Sequence, residues 1–158
     1  MEQQDILSMT LPELQAAVQE LGEPKFRAKQ IFNWLHQKRV TDFSEMTTLS
    51  LPFRERLASD FCINRLKIAK RLASSVDDTV KYLYELPDGN YVETVCMQYH
   101  HGTSLCISTQ VGCRMGCRFC ASAIAGFVRN LTPAEMLLQI YETERAQNCK
   151  ISLSLIHI

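Results

Sequence analysis

Ala28, Ile31, Trp34 and Leu35 recur at helical spacing, so the segment from Pro24 to about Lys38 is predicted to be an amphipathic helix with Lys25, Arg27 and Lys29 on its outer side. An earlier helix is announced by Thr10-Leu11-Pro12-Glu13, a capping box in which the Thr10 oxygen accepts from the Glu13 N–H and the Glu13 carboxylate reaches back. Gly22 is its natural stop. A third, shorter helix follows Ser50-Leu51-Pro52 and carries Phe53, Leu57 and Phe61 at i, i+4 and i+8. From Val80 the period changes to two. Val80, Tyr82, Tyr84 and Leu86 alternate along a strand that ends at the turn Pro87-Asp88-Gly89-Asn90. Tyr91 to Met97 reads as the return strand, His100-His101-Gly102-Thr103 as a second turn, and Leu105 to Ser108 as a third strand.

Helical signals return at Thr132-Pro133-Ala134-Glu135, where an N-cap threonine, a proline at N1 and a glutamate at N3 agree, with Leu137, Ile140 and Tyr141 expected on the buried face. Ile151-Ser152 could open a further strand. The end, Leu153-Ser154-Leu155-Ile156-His157-Ile158, resembles the in-frame translation of a transposon end used to prepare sequencing libraries, and is set aside as a non-native scar; otherwise it reads as an ordinary apolar strand. The pattern predicts an α+β chain: a helical domain at 1–62, a β-meander at 63–103 and a strand–loop–helix unit at 104–152, followed by the scar at 153–158.

Composition adds little beyond exclusions. With 46% apolar and 22% charged residues among 158, the chain has the balance of a globular protein. No apolar run approaches the ~20 residues needed to cross a bilayer. The N-terminus has no basic start or apolar stretch of a signal peptide, so a cytoplasmic location without membrane contact is expected. There, seven cysteines read as metal ligands or reactive thiols rather than as a disulfide framework. The formal net charge is zero but unevenly spread. Residues 1–23 carry only acids, whereas Arg65, Lys67, Lys70 and Arg71, and later Arg114, Arg118 and Arg129, lie in stretches free of acids. These basic stretches could meet phosphates or could simply be solvated faces.

Candidate chemistry concentrates in Cys113-Arg114-Met115-Gly116-Cys117-Arg118-Phe119-Cys120. Three thiolates this close on a glycine-containing loop can hold three corners of a [4Fe–4S] cubane, whereas ordinary sites of that kind use four cysteines. The fourth iron is then open to a ligand such as the amino and carboxylate groups of S-adenosylmethionine (SAM), as catalytic zinc sites keep a position open. A competing assignment is a zinc or iron–sulfur binding module without catalysis, with His100 or His101 completing a zinc site; the second Cys-x2-Cys or His pair usual for zinc is absent.

Around that loop the chain resembles a known family, the dual-specificity adenine-C2 methyltransferases of 23S ribosomal RNA and tRNA, the RlmN/Cfr family of radical SAM enzymes. The resemblance is carried by Cys106-Ile107-Ser108-Thr109-Gln110-Val111-Gly112-Cys113, the cysteine loop, Gly126-Phe127-Val128-Arg129-Asn130-Leu131, Asp88-Gly89-Asn90-Tyr91-Val92-Glu93-Thr94-Val95 and Phe26-Arg27-Ala28-Lys29-Gln30-Ile31, and extends from residue 1 to about 152. It implies a fragment: an RNA-binding helical domain followed by the start of a partial (β/α) barrel, with the later strands, most of the SAM site and a methyl-carrying C-terminal cysteine missing. It further implies that Cys113, Cys117 and Cys120 bind the [4Fe–4S] cluster, with Phe119 beside the cofactor. Cys106 would be the resolving cysteine, attacking the methylated cysteine's sulfur to form a transient disulfide. Glu93 would be the proton acceptor, although by itself it reads as the outward residue of an alternating strand. Lys25, Arg27 and Lys29 would grip RNA. The implied partners are 23S rRNA, tRNA and a flavodoxin-type electron donor, with a monomeric protein. Gly22-Glu23-Pro24, a tripeptide that radical SAM enzymes use beside SAM, lies far upstream and reads only as a helix stop and start. Cys62, Cys96 and Cys149 read as structural.

Overall fold

In a computed structural model of the chain, the described residues are 3–100, 102–120, 124 and 126–151, together with the backbone of 153–157. The chain divides into two compact units, Met1–Asn64 and Arg65–Ile158.

The first unit contains α1 (Leu11–Glu20), α2 (Phe26–His36) and α3 (Leu51–Asp60). A two-stranded parallel pair, β1 (Gln4–Asp5) with β2 (Phe61–Cys62), ties the beginning of the unit to its end. The Glu13 carboxylate accepts from both the Thr10 N–H, at 2.7 Å, and the Thr10 hydroxyl, at 2.6 Å, which starts α1 as its sequence signal predicts. Gly22 takes φ +78°, the left-handed conformation that ends a helix cheaply only for glycine. Ile6, Leu14, Val18, Ala28, Ile31, Leu35, Met46 and Leu57 form the buried core. Trp34, expected with them, is only half-buried and donates its ring N–H to the Thr48 hydroxyl at 2.8 Å.

The second unit is built on a five-stranded sheet in the order β3-β4-β5-β6-β9, where β3 is Lys67–Ala73, β4 Val80–Glu85, β5 Tyr91–Tyr99, β6 Gly102–Ser108 and β9 Leu153–His157. The first four strands pair antiparallel, so the meander expected from period-two alternation is present. It gains a strand that alternation did not reveal: β3 is exposed at every residue and its register shifts between Ile68 and Lys70, which removes the periodic signal. Residues 63–103 and 104–152, separated by sequence, share this one sheet, because β5 pairs with β6. Leu153–His157, set aside as a scar, is placed by the structure as β9, parallel to β6. A parallel neighbour requires a crossover, and α4 (Pro133–Gln147) supplies it.

The packing of α4 differs from expectation. Leu137, Ile140 and Tyr141 are only half-buried, while Ala134, Glu135, Leu138, Gln139, Glu142 and Thr143 are buried. A polar stripe therefore faces the sheet, and each of its groups needs a partner. Gln139 is fully buried and spans two strands. Its carbonyl oxygen accepts from the Thr94 hydroxyl on β5 at 2.8 Å and from the Ser108 N–H on β6 at 2.9 Å, while its NH2 donates to the Ser108 carbonyl at 2.9 Å. The Thr143 hydroxyl lies 2.8 Å from the Tyr84 hydroxyl and donates to the backbone carbonyl of Gln139 at 2.7 Å. Replacing Gln139 with Ala strands the Ser108 and Thr94 groups without partners in the interior. We expect a loss of about 2–4 kcal/mol, read from the denaturant midpoint followed by circular dichroism, with Thr143→Val costing less.

Candidate functional site

Two short strands, β7 (Gln110–Gly112) and β8 (Phe127–Asn130), pair antiparallel and close the base of the loop that carries the three cysteines. Their approach is close. Gly112 has φ +72°, and a side chain there would fall on the carbonyl oxygen of Gly126 across the ladder, so only glycine fits immediately before Cys113. The stem is extended by the Leu131 N–H donating to the Thr109 carbonyl at 2.8 Å and by the Gln110 amide donating to the Asn130 side-chain oxygen at 3.0 Å.

Beyond the stem the described residues 113–120 form turns. The Cys120 N–H donates to the Cys117 carbonyl at 3.1 Å, and the Arg114 guanidinium lies 4.4 Å from the centre of the Phe127 ring. All three cysteines are free thiols, Cys117 exposed and Cys113 and Cys120 half-buried. Phe119 is 93% exposed and Met115 71%. Among the described residues no three His, Cys, Asp or Glu side chains stand together as a metal site. His100 is exposed, and His101 lies outside the described residues. The soft donor set suits an iron–sulfur cluster, with the sulfurs not gathered in this conformation.

Glu93 and Cys106 are brought to one face. Along β5, Val92, Thr94 and Cys96 are buried, and Thr94 reaches α4; Glu93 therefore points to the opposite face of the sheet. Val95 is paired with Cys106 on β6, which puts the Cys106 side chain on that same face. Glu93 and Cys106 are diagonal neighbours there, about 7–8 Å apart by the usual strand geometry. The Ser108 hydroxyl donates to the Glu93 carbonyl at 2.7 Å and closes the gap between the strands. Glu93 is exposed and pairs with Lys81 at 3.0 Å. Cys106 is half-buried, and burial pushes its thiol up.

In the first unit, Lys25 and Lys29 are exposed, whereas Arg27 is half-buried and engaged locally: it donates to the Gln30 side chain at 2.9 Å and sits 3.9 Å from Glu23. Cys96 is buried, Cys149 is half-buried, and the Cys62 thiol donates to the Gln3 carbonyl at 3.4 Å.

One group beside the stem entered the sequence reading as part of a basic stretch that could meet phosphates or solvent. Arg129, on β8, makes a bidentate pair with Glu135 at the start of α4, at 2.8 and 2.7 Å, and a second contact with Asp88 in the β4–β5 turn, at 2.8 Å from its Nε and 2.6 Å from a terminal nitrogen. Turn chemistry explained Asp88 and helix capping explained Glu135, so nothing local pointed to the long-range partner. Burial works to raise both carboxyl groups, but hydrogen bonds, from Arg129 and Thr132 to Glu135 and from Asn90 and Arg129 to Asp88, hold them below the usual carboxylate range. A depressed folded-state value contributes stability that is complete above the unfolded value, about pH 4, and is lost as pH falls through the folded one. Arg129→Met should therefore lower the denaturant midpoint at pH 7, and the gap from the unsubstituted chain should shrink steadily as pH is taken below about 4.

Comparison with known proteins gives this arrangement a context. Residues 4–63 match the ribosomal RNA large subunit methyltransferase N-terminal domain. The chain is 54% identical over 151 residues to a probable dual-specificity RNA methyltransferase RlmN of Lachnoclostridium phytofermentans, covering 94% of this chain and 42% of that protein. A protein of the same description from Alkaliphilus oremlandii is 51% identical over 152 residues, covering 96% of this chain and 44% of its own length. Among solved structures, a radical SAM methyltransferase from Sphaerobacter thermophilus superposes with a TM-score of 0.81 at 33% identity, over 95% of this chain and 45% of that one. The chain thus spans less than half the length of the curated relatives it matches. The helical unit and the cysteine-loop unit are both matched, so nearly the whole chain is similar to proteins described as RlmN.

Proposed function

We propose that this chain is the helical and cluster-binding part of a radical SAM RNA methyltransferase that methylates C2 of adenine in 23S rRNA and tRNA. The observation that carries the reading is the loop of three free thiols held between β7 and β8. Cys113, Cys117 and Cys120 would hold a [4Fe–4S] cluster, the loop closing around it. When bound, such a cluster supplies the electron that cleaves the sulfonium of SAM. Phe119, now exposed, would cover the cofactor and exclude water.

The face shared by Glu93 and Cys106 is where the substrate adenine would lie, in the open half of the (β/α) barrel that β6, α4 and β9 begin. Glu93 takes the proton from C2. With the methyl carbon bonded to C2, Cys106 would attack the sulfur of the cysteine that carries it, a residue supplied by the rest of the protein; the sulfur–carbon bond breaks as the disulfide forms, and the released carbon takes up a proton to become the methyl group. Because burial favours the neutral thiol, Cys106 must first lose its proton to a base in the assembled site. Lys25 and Lys29, exposed on α2, are suited to RNA phosphates, and Arg27 to ordering the helix that presents them. A flavodoxin-type protein would deliver the electron, and the protein would work as a monomer in the cytoplasm. No helix among the described residues is long and apolar enough to cross a membrane.

Loading the chain with iron and sulfide without oxygen should give a cluster whose paramagnetic signal changes when SAM is added, and Cys113→Ala, Cys117→Ala or Cys120→Ala should each abolish most iron uptake. Stoichiometric zinc, or a cluster indifferent to SAM, would overturn the reading. The loaded 158-residue chain should form no 2-methyladenosine on 23S rRNA or tRNA, since the methyl-carrying thiol would lie in the part that it does not span. Robust product would refute that division of labour.

A further inference from the structure

We infer that Arg129 is a positioning residue for the cysteine loop, joined with Asp88 and Glu135 in a clamp that fixes the loop's base to the sheet and to α4. The inference builds on the proposed function, but its first measurement needs no cluster.

The argument begins with what the stem lacks. β7 and β8 share only three paired positions, with a shift of register between Val111 and Gly112. A two-stranded ladder of that size is marginal by itself. Between the strands, the exposed Cys117 and Phe119 have no core to rest on. The placement of the three sulfurs must then be inherited from the two ends of the loop.

Arg129 supplies that placement from one end. Its planar fork meets two carboxylates on two different elements, which a lysine's single ammonium cannot reproduce. Glu135 is itself fixed, because it also accepts from the Thr132 N–H at 2.8 Å as part of the α4 cap. Asp88 is fixed through the Asn90 N–H at 3.1 Å and the Asn90 side-chain amide at 2.9 Å. The guanidinium also donates to the Asn130 carbonyl at 3.1 Å, holding β8 where it leads into Leu131. Three separate pieces of chain, the β4–β5 turn, β8 and the start of α4, are thereby locked to one planar group. At the other end, Gly112 lets β7 approach the Gly126 carbonyl, so a shift of β8 is felt directly at the residue before Cys113.

The test compares the full chain with Arg129→Lys and Asp88→Asn. Both keep Glu135 able to accept from Thr132, so α4 retains its start. Amide exchange at Val111 and Arg129 should rise about tenfold more than at Thr94 and Leu105 in the central strands, which report only the change in overall stability; tenfold is the order expected for losing one charge-assisted hydrogen bond. In cluster-loaded protein, iron content should stay at the unsubstituted level while the SAM-induced signal broadens into a mixture of forms. Unchanged exchange at the stem would overturn the inference, as would a rise at Thr94 and Leu105 as large as that at Val111 and Arg129, the mark of a residue that only stabilises the fold as a whole. An unsubstituted chain that shows no SAM response overturns the proposed function instead, and stem exchange then decides the clamp alone.

Discussion

A single buried carboxamide sets the geometry of the second unit. Gln139 presents both a donor and an acceptor to the Ser108 backbone and takes a third hydrogen bond from Thr94, so α4 has one translational setting against β5 and β6. Apolar contact alone would tolerate a slide along the strands; paired polar groups in a low-dielectric interior do not, because a displaced group is left without water or partner. With one face of β5 and β6 committed to α4, the alternation of strand side chains leaves Glu93 and Cys106 together on the other.

The cysteine loop obeys a different logic. Its thiols are free, and among its described residues Cys117 and Phe119 are exposed and so not held by packing. Order is imposed at the base, through the close approach of Gly112 to Gly126 and the charged fork of Arg129. This division suits a ligand-binding loop. On the proposed function, a rigid frame would fix where the thiols start and leave them free to close on the cluster.

Local signals explain much of what the chain builds. The caps at Thr10 and Thr132 were visible because both partners lie within three residues, and the boundaries of α1 and α4 follow them. The β4–β5 hairpin was visible because a strong turn separates two alternating runs. The cysteine spacing marked the loop, and the surrounding motifs marked the family that the chain resembles. The same kind of reading missed β3, whose two exposed faces give no alternation, and misjudged α4, whose apolar residues were taken for its buried face when a polar stripe packs instead.

Sequence by itself determined the helices, the β4–β5 hairpin and the caps that start α1 and α4, and singled out the three closely spaced cysteines, since each depends on residues near one another in the chain or on intrinsic conformational preference. Tertiary structure alone decided which face of α4 meets the sheet, that Glu93 and Cys106 share a surface, and that Arg129 joins Asp88, 41 positions away, to Glu135. Each of those outcomes rests on satisfying buried or charged groups across distant elements. Such pairing has no periodicity for a linear pattern to display, and it exists only once the strands have found their register.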